Sequence, residues 1–397
     1  MTAVNSQDAS TLADFPPSIT EQLNTPCYLI SGVAARRNCR ILAEIRQQTG
    51  ANILLALKAF ALPALFPVLH QYLDGVCASG PIEARLGRED FGGEVHTYAP
   101  AYHGRQMEQV IRFSDHILFN SLRQWRYHQP AIERATACGK EIRIGLRVNP
   151  GYSEVATPLY DPCRPGSRFG LLPHELENAD LTGISGLHFH ALCEQGADVL
   201  ARVLAHFEKN FAPWIDQMSW VNFGGGHHIS RQNYDTALLC RTINEFRARH
   251  NNIKVYLEPG EAVVLNAGVF VTTILDILDR NPPIAILDSS AETHLPDVLA
   301  MPYRPHIVGG AEPGILSHTY SFGGISCLAG DMFGYYSFAK PLRIGDRLIM
   351  ADMALYSFVK NTTFNGVELP EIYLMDEANR PHSARRFGFD DYRGRIA

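Results

Sequence analysis

The chain has 397 residues, a formal net charge of −6 and no block of basic residues, which argues against a nucleic-acid partner. Hydrophobic residues make up 46% of it, enough for two buried cores, and its eight cysteines form no CxxC pair, which indicates reduced thiols in the cytoplasm. The first 25 residues are polar, and no run reaches the roughly 20 apolar residues of a membrane span, so we expect neither a secretory signal nor a membrane partner.

The N-terminal part of the chain predicts one strand and one helix. Residues 1–25 are expected to form a loosely ordered leader, and residues 25–30 a strand. Residues 34–49 carry apolar side chains at helical spacing and are followed by Gly50, which is typical of a helix end.

From residue 53 onward, short apolar runs alternate with segments of helical length. The runs are residues 53–57, 75–78, 95–98, 116–119, 142–148, 184–189, 219–223 and 254–257. The helical segments between them include residues 104–113, 121–137, 196–210 and 234–250. Eight strands in alternation with helices predict a parallel (β/α)8 or TIM barrel.

After about residue 268 the pattern changes to strands joined by Gly- and Pro-rich turns. The predicted strands are residues 269–275, 284–287, 347–350 and 371–374. We therefore expect an α/β protein with three parts, namely a leader and strand (1–30), the barrel (31–268) and a mostly β domain (269–397) that the N-terminal strand completes. Residues 152–170 and 288–320 are expected to form irregular loops that carry specificity.

Lys58 directly follows the first predicted barrel strand. Loss of hydration at the end of a buried strand would favour the neutral amine, which is the nucleophilic form needed for a Schiff base. A lysine that reaches from the strand into solvent is the alternative.

Polar residues also follow the later strands, at the barrel end where active sites of this fold lie. They are Arg147, His190, the turn Gly224–Gly226 and Glu258. Three glycines leave backbone N–H groups open to a phosphate, although they could form only a tight turn. His190 could equally be a core histidine, Glu258 a structural acceptor, and Arg147 the partner of Glu83 in an ion pair.

Six motifs carry a specific resemblance when they are taken together. They are Ala56-Leu-Lys-Ala, Cys77-Ala-Ser, Leu187-His-Phe-His-Ala-Leu-Cys-Glu194, Asn222-Phe-Gly-Gly-Gly, Glu258-Pro-Gly and Gly323-Gly-Ile-Ser-Cys-Leu-Ala-Gly-Asp331. With these motifs the chain resembles, from about Thr25 to Tyr373, the alanine-racemase-fold decarboxylases of basic amino acids, which depend on pyridoxal phosphate.

The resemblance implies pyridoxal 5'-phosphate as the cofactor and assigns it to the barrel residues. Lys58 is expected to form the Schiff base, His190 to stack on the ring, and Gly224–Gly226 to bind the phosphate. Glu258 is expected to pair with the pyridine nitrogen and keep it protonated, which suits decarboxylation, and Arg147 is included in the same site.

The resemblance also implies residues of the second domain. Tyr356 is expected to add a phosphate contact. Cys327 is expected to donate the proton after CO2 leaves, from the other subunit of a homodimer that shares its active sites, with Asp331 beside it. A buried, inert thiol is the alternative for Cys327.

Glu261 departs from the family pattern, because related decarboxylases of ornithine or diaminopimelate commonly have arginine after Glu-Pro-Gly. A glutamate attracts an ammonium group, and Asp297 could reach the same pocket, with Glu292 and Asp288 as weaker candidates. Together with this departure, the resemblance implies a carboxylated triamine, carboxynorspermidine or carboxyspermidine, as the substrate, and Glu261, Asp297 and Asp331 are expected to bind it. Ornithine, lysine and diaminopimelate are the alternative substrates. The alternative for Glu261 and Asp297 is that both are solvated surface carboxylates.

Two other classes of function compete with this interpretation. A metal-dependent barrel hydrolase could use the histidines at 188, 190, 227 and 228 together with Asp288. However, we expect one of His188 and His190 to face the helices and not the barrel interior, and the metal interpretation leaves Lys58 and the triple glycine unexplained. A non-catalytic regulator would be expected to lack Lys58, Cys327 or the glycine turn, and all three are present.

Overall fold

The computed structural model describes residues 6–397. These residues form two compact units, one made of Arg37–Val263 and the other of the segment through Arg36 together with Val264–Ala397. Within the described residues, no helix combines the length and the apolar character that crossing a bilayer requires.

The N-terminal segment is more ordered than predicted. It forms helices Ser6–Asp14 and Pro17–Thr20 before strand β1 (Cys27–Ser31). Phe15 and Leu23 are almost fully buried in a core cluster with residues of β1. The expectation of a loose leader is therefore wrong for residues 6–25, because these two apolar side chains anchor the segment, while residues 1–5 lie outside the described residues.

The unit Arg37–Val263 contains a closed barrel of eight parallel strands, which confirms the predicted fold. The strands are β2 (Asn52–Ala56), β3 (Gly75–Ala78), β4 (Glu94–Tyr98), β5 (His116–Phe119), β6 (Arg143–Arg147), β7 (Ile184–His188), β8 (Trp220–Asn222) and β9 (Lys254–Leu257). Each matches a predicted apolar run to within one residue at either end.

Helices precede, connect and follow the barrel strands. They are Gly32–Thr49, Phe66–Leu69, Pro81–Leu86, Gly104–Phe113, Leu122–Ala137, Pro173–Leu176, Ala197–Ile215, Thr236–Arg249 and Glu261–Val264, with a 3-10 turn at Pro63–Leu65 and a π-helical turn at Gly87–Phe91. Residues 152–170 form neither helix nor strand, as predicted.

Large side chains fill the barrel interior. Trp220 packs with Leu54, Leu118 and Tyr256 in one buried cluster. The indole occupies the space beside β7, where a Cβ on Gly186 would lie 2.0 Å from its ring. The barrel is therefore a packed core, and open space for chemistry is left at the ends of the strands.

The second unit is built on an eight-stranded sheet. Its later strands are β10 (Gly268–Leu278), β11 (Ile284–Leu287), β12 (His318–Gly323), β13 (Met332–Phe338), β14 (Arg347–Ala351), β15 (Glu371–Met375) and β16 (Pro381–Arg385). The sheet order is β13-β12-β11-β10-β1-β15-β16, with β14 also paired to β10. Strand β1 thus lies between β10 and β15, which confirms that the N-terminal strand completes this sheet.

Three strands of this unit, β12, β13 and β16, were not predicted. The remaining elements are short helices at Ala291–His294, Asp297–Ala300, Ser357–Lys360 and Phe389–Ile396, and a 3-10 turn at Phe364–Gly366. Two of these helices interrupt the segment 288–320, which is otherwise irregular up to the start of β12.

Candidate active site

Lys58 lies two residues beyond the end of β2, at the carboxyl-terminal end of the barrel, and is exposed. The expectation that burial desolvates its amine is therefore wrong. Both neighbours, Leu57 and Ala59, are buried, so the backbone is fixed while the side chain projects from the barrel. This location fixes where the amine lies but does not desolvate it.

Glu258 follows β9 and is held by two side chains from neighbouring strands. Asn222 Nδ2 donates to its Oε1 at 2.7 Å, and His188 Nε2 lies 3.3 Å from its Oε2. Burial alone would raise the pKa of Glu258, but the adjacent His188 and His190 outweigh burial and hold it well below its usual range. Glu258 is therefore a partly buried carboxylate that stays ionised.

His188 was considered only as a metal ligand, and its contact with Glu258 was not predicted. The expectation that one of His188 and His190 faces the helices is wrong, because residues two apart on a strand lie on the same side, and both histidines act on Glu258.

The glycine turn after β8 fixes the orientation of His190. Gly225 N–H donates to His190 Nδ1 at 3.0 Å, so the ring proton lies on Nε2. Burial, followed by the positive charge of Lys58, holds the pKa of His190 well below its ordinary value. His190 is therefore a neutral imidazole whose tautomer is set by the turn.

The same turn has no room for side chains. A Cβ on Gly225 would lie 2.0 Å from the carbonyl oxygen of Glu258, and Gly224 and Gly226 have φ of +69° and +86°, where glycine is favoured. The Gly224 N–H donates to Asn222 Oδ1 at 2.8 Å. Two of the three glycine N–H groups thus have partners near the turn itself.

Arg147, the last residue of β6, is buried between two aromatic rings. Its guanidinium lies 4.6 Å from the ring of Tyr98 and 4.4 Å from that of Phe169, and Nη2 donates to the His190 carbonyl at 3.2 Å. Glu83 accepts instead from the backbone N–H of Ser79. Arg147 is therefore a fixed cation beside His190.

Glu261 is paired with His228, which follows the glycine turn. Burial would lower the pKa of His228, but its hydrogen bond to Glu261 outweighs burial and raises it above the ordinary value. Burial, followed by the charge of Glu261, raises the pKa of Glu194. Glu194 was quoted in a motif but not predicted as a site residue, and its left-handed φ of 57° marks it as a constrained position.

Cys327 lies on the loop between β12 and β13 and is exposed. Its backbone N–H donates to Asn365 Oδ1 at 2.7 Å, and the neighbouring Ile325 and Leu328 are also exposed. The alternative of a buried, inert thiol is therefore wrong.

Asp331 anchors the Cys327 loop. It is only 3% exposed, and its Oδ1 accepts from the N–H groups of Ala291 (2.6 Å) and Glu292 (3.2 Å). Its Oδ2 accepts from the N–H of Ser326 at 3.1 Å. One buried carboxylate therefore joins the loop to the start of the helix Ala291–His294.

Asp297 and Tyr356 lie on either side of Lys360. Lys360 Nζ is 2.5 Å from Asp297 Oδ1 and 5.5 Å from the centre of the Tyr356 ring. Asp297 is thus an ion-paired carboxylate rather than a solvated one. Asp288 accepts hydrogen bonds from Thr25, Thr272 and Thr273, which makes it part of the sheet core.

The ligands of the competing metal site do not come together. In residues 6–397, one group of three or more His, Cys, Asp or Glu side chains has its ligand atoms within 4.8 Å of one another. That group includes none of the histidines at 188, 190, 227 and 228.

Comparison with known proteins identifies relatives along nearly the whole chain. The family described as pyridoxal-dependent decarboxylase, C-terminal sheet domain, matches residues 27–354. A carboxynorspermidine/carboxyspermidine decarboxylase of Campylobacter jejuni is 40% identical over 383 residues, covering 94% of this chain and 98% of that protein. A carboxyaminopropylagmatine decarboxylase of Synechocystis sp. is also 40% identical, over 94% of this chain and 96% of that protein.

A solved structure shows the same similarity in three dimensions. The crystal structure of carboxynorspermidine decarboxylase from Campylobacter jejuni, complexed with norspermidine, superposes with a TM-score of 0.86 at 39% identity and covers 94% of this chain and all of that one. The two chains therefore share their fold over 94% of this chain.

Proposed function

The chain belongs to the pyridoxal-dependent decarboxylases, and we propose that it converts carboxynorspermidine or carboxyspermidine to norspermidine or spermidine in polyamine biosynthesis. The observation that carries the proposal is the 40% identity, over 94% of the chain, to a decarboxylase of that substrate pair. The 0.86 superposition on a relative that binds norspermidine supports it.

A second candidate substrate is carboxyaminopropylagmatine. The Synechocystis relative that bears this name is equally similar to the chain. The two kinds of substrate differ at the distal end, where one carries an ammonium and the other a guanidinium. Planar guanidinium groups favour bidentate contacts with carboxylates. We therefore assign discrimination between the two substrates to the carboxylates around Glu261.

The barrel residues fit pyridoxal phosphate. The amine of Lys58 projects from the barrel end, the ionised Glu258 can hold a proton on a ring nitrogen, and the neutral His190 offers a flat face. We assign the phosphate to the turn Gly224–Gly226, whose tight backbone course requires glycine, and Arg147 supplies a fixed cation nearby. When bound, the cofactor takes up the electrons that remain on the substrate after CO2 leaves.

Each barrel residue then has a defined task. Lys58 would hold the cofactor through Nζ, and His190 would limit the movement of its ring. Glu258, oriented by Asn222 and His188, keeps the ring nitrogen protonated. The network matters because a carboxylate with both oxygens engaged has a fixed direction in which to accept a further hydrogen bond, here from the N–H of the ring.

Proton delivery is assigned to Cys327. Its Sγ–H would donate to the substrate carbon that has lost CO2, and Asp331 would keep the thiol in place through the loop. We include in the proposal a cytoplasmic homodimer in which this loop completes the active site of the other subunit. The exposure of Cys327 together with Ile325 and Leu328 supports it, because an apolar loop tip gains most when a partner covers it.

Substrate amines are assigned to the acidic residues. Glu261 and Glu194 would bind a distal ammonium of the substrate, and the protonation of His228 would set the net charge of this group. Asp297 could take part only by exchanging Lys360 for a substrate amine, since one carboxylate oxygen already holds that lysine. We assign Asp331 to shaping the substrate pocket, because its two carboxylate oxygens already accept hydrogen bonds from three backbone N–H groups.

The proposal is tested by steady-state kinetics on five compounds. CO2 release from carboxynorspermidine, carboxyspermidine, carboxyaminopropylagmatine, ornithine and diaminopimelate is measured with cofactor-loaded protein. We expect kcat/KM to be highest for one or both carboxylated triamines. A higher value for carboxyaminopropylagmatine would favour the second candidate, and a higher value for ornithine or diaminopimelate would overturn both.

A further inference from the structure

A second polar cluster lies at the opposite end of the barrel from Lys58. Glu94 and His116 are the first residues of β4 and β5, and His96 lies two residues into β4. His96 and His116 are almost fully buried, whereas Glu94 is partly exposed. The chemistry proposed for the other end of the barrel uses none of these three side chains.

Three potential ligand atoms converge in this cluster. His96 Nε2 lies 3.1 Å and His116 Nε2 3.9 Å from Glu94 Oε2. All the ligand atoms lie within 4.8 Å of one another. Zinc binds imidazole nitrogen and carboxylate oxygen at about 2.0–2.2 Å, so ligands of a tetrahedral ion lie roughly 3.3–3.5 Å apart. The backbone thus already places the three side chains at a suitable spacing.

The neighbouring groups orient the carboxylate of this cluster. Lys254 Nζ contacts one carboxylate oxygen, Oε1, at 3.1 Å, and the Tyr256 hydroxyl donates to Oε2 at 2.8 Å, a contact that can orient a ligating carboxylate. His96 Nε2 is hydrogen-bonded to the same Oε2, whereas both Nδ1 atoms are buried without a hydrogen-bond partner among the described residues. An ion that binds at Nε2 replaces the proton there, and the ring proton then sits on Nδ1.

We propose that Glu94, His96 and His116 bind one divalent transition-metal ion, of the Zn2+ or Co2+ type, at the amino-terminal end of the barrel. Two imidazoles and one carboxylate are a donor set that such ions accept, with water completing the coordination. Because the ligands come from adjacent strands and lie far from Lys58 along the barrel, the ion joins β4 to β5 rather than taking part in decarboxylation.

Two features limit the affinity. The histidine rings are stacked, with centroids 3.8 Å apart and planes at 11°, so their lone pairs run nearly parallel and at least one ring must turn to share an ion. The ammonium of Lys254 repels a divalent cation. The second feature supplies the most specific test, because removal of that ammonium should strengthen metal binding.

The test uses tag-free, cofactor-loaded protein, dialysed free of unbound cofactor and titrated with Co2+. We expect one ion per chain with the visible spectrum of nitrogen and oxygen ligands. Glu94→Gln should weaken binding at least 10-fold, and Lys254→Met should strengthen it several-fold. His174→Gln, which alters an exposed histidine elsewhere on the barrel, is the matched control and should change nothing.

The proposal is wrong if the wild-type protein binds no Co2+, or if Glu94→Gln and Lys254→Met bind it as the wild type does. A spectrum with thiolate charge-transfer bands would also overturn it, because the cluster contains no cysteine. Retained absorbance of the bound cofactor shows that each variant is folded. The result is independent of the substrate proposal, since it does not measure decarboxylation.

Discussion

The barrel and the sheet unit hold their polar residues in different ways. In the barrel, Glu258 and His190 are fixed by direct contacts between side chains and the glycine turn, mostly out of solvent. In the sheet unit, Cys327 is exposed, and Asp331 fixes the loop that carries it rather than the thiol itself. With the roles proposed above, the contrast predicts that cofactor binding depends on a rigid cluster, whereas proton delivery depends on the placement of a loop.

This contrast predicts two classes of variant. Changes in the barrel cluster should alter the absorbance or binding of the cofactor, whereas changes in the Cys327 loop should leave the cofactor in place and slow turnover.

Lys58→Ala should have the largest effect. Without the amine no covalent bond to the cofactor can form, so both the visible absorbance of the bound cofactor and CO2 release should disappear. Absorbance and activity are measured on the same sample, with Lys209→Ala, at an exposed lysine on a barrel helix, as the control. A Lys58→Ala protein with normal turnover would remove Lys58 from the mechanism.

Glu258→Gln should lower kcat by about 10²–10⁴-fold, the range typical for loss of a group that controls a proton in catalysis, because a neutral amide cannot keep the ring nitrogen protonated. The cofactor should remain bound with a shifted spectrum. His188→Gln should have a smaller effect in the same direction, since it changes only the orientation of Glu258. An unchanged spectrum and kcat in Glu258→Gln would contradict the assigned role.

Cys327→Ser should lower kcat by about 10²-fold, within the effect expected of a proton donor, without change in the cofactor spectrum. Cys138→Ser, at the other exposed thiol, is the matched control. If Cys327→Ser turns over at the wild-type rate, another group donates the proton.

Asp331→Asn should both lower the free energy of unfolding and displace the loop that carries Cys327. The amide NH2 would face backbone N–H groups, and leaving such buried donors unpaired costs about 1–3 kcal/mol of unfolding free energy. Denaturant unfolding measures this cost, and kcat should fall while cofactor binding is retained. A variant as stable as the wild type would show that the three hydrogen bonds do not hold the loop.

Glu261→Gln should have the smallest effect, an increase of about 10-fold in KM for the triamine, equivalent to about 1.4 kcal/mol. It should also change the pH dependence of stability. Because the pKa of His228 is raised in the folded state, the pair stabilises below the ordinary histidine value, and this contribution is lost as pH rises through the raised value. Glu261→Gln should abolish that loss, and an unchanged KM and pH profile would separate Glu261 from both roles.

The barrel could be predicted from sequence because its parallel strands are buried on both sides and appear as apolar runs. The sheet unit could be predicted only in part. Strand β13 is interrupted by Gly334 and exposes Tyr335, and β16 is mostly polar and lies at the sheet edge. Such strands are set by pairing with distant neighbours, which a local pattern does not contain.

The active-site features also divide into those that the sequence predicts and those that it does not. Residues at strand ends, such as Arg147 and Glu258, could be proposed from the barrel pattern alone. The exposure of Lys58, the contact of His188 with Glu258 and the engagement of Asp331 by three N–H groups could not, because each depends on where loops from other strands lie. The pairing of Glu261 with His228 joins residues 33 positions apart, and neither position predicts the other.

Trapping the cofactor is the most direct test of the central claim, which is that Lys58 holds pyridoxal phosphate at the barrel end. The chain has six lysines, Lys58, Lys140, Lys209, Lys254, Lys340 and Lys360. After reduction of the loaded protein with borohydride and proteolysis, mass spectrometry should find the cofactor on the peptide that contains Lys58 and on no other. Attachment to a different lysine, or none after reduction, would contradict the account.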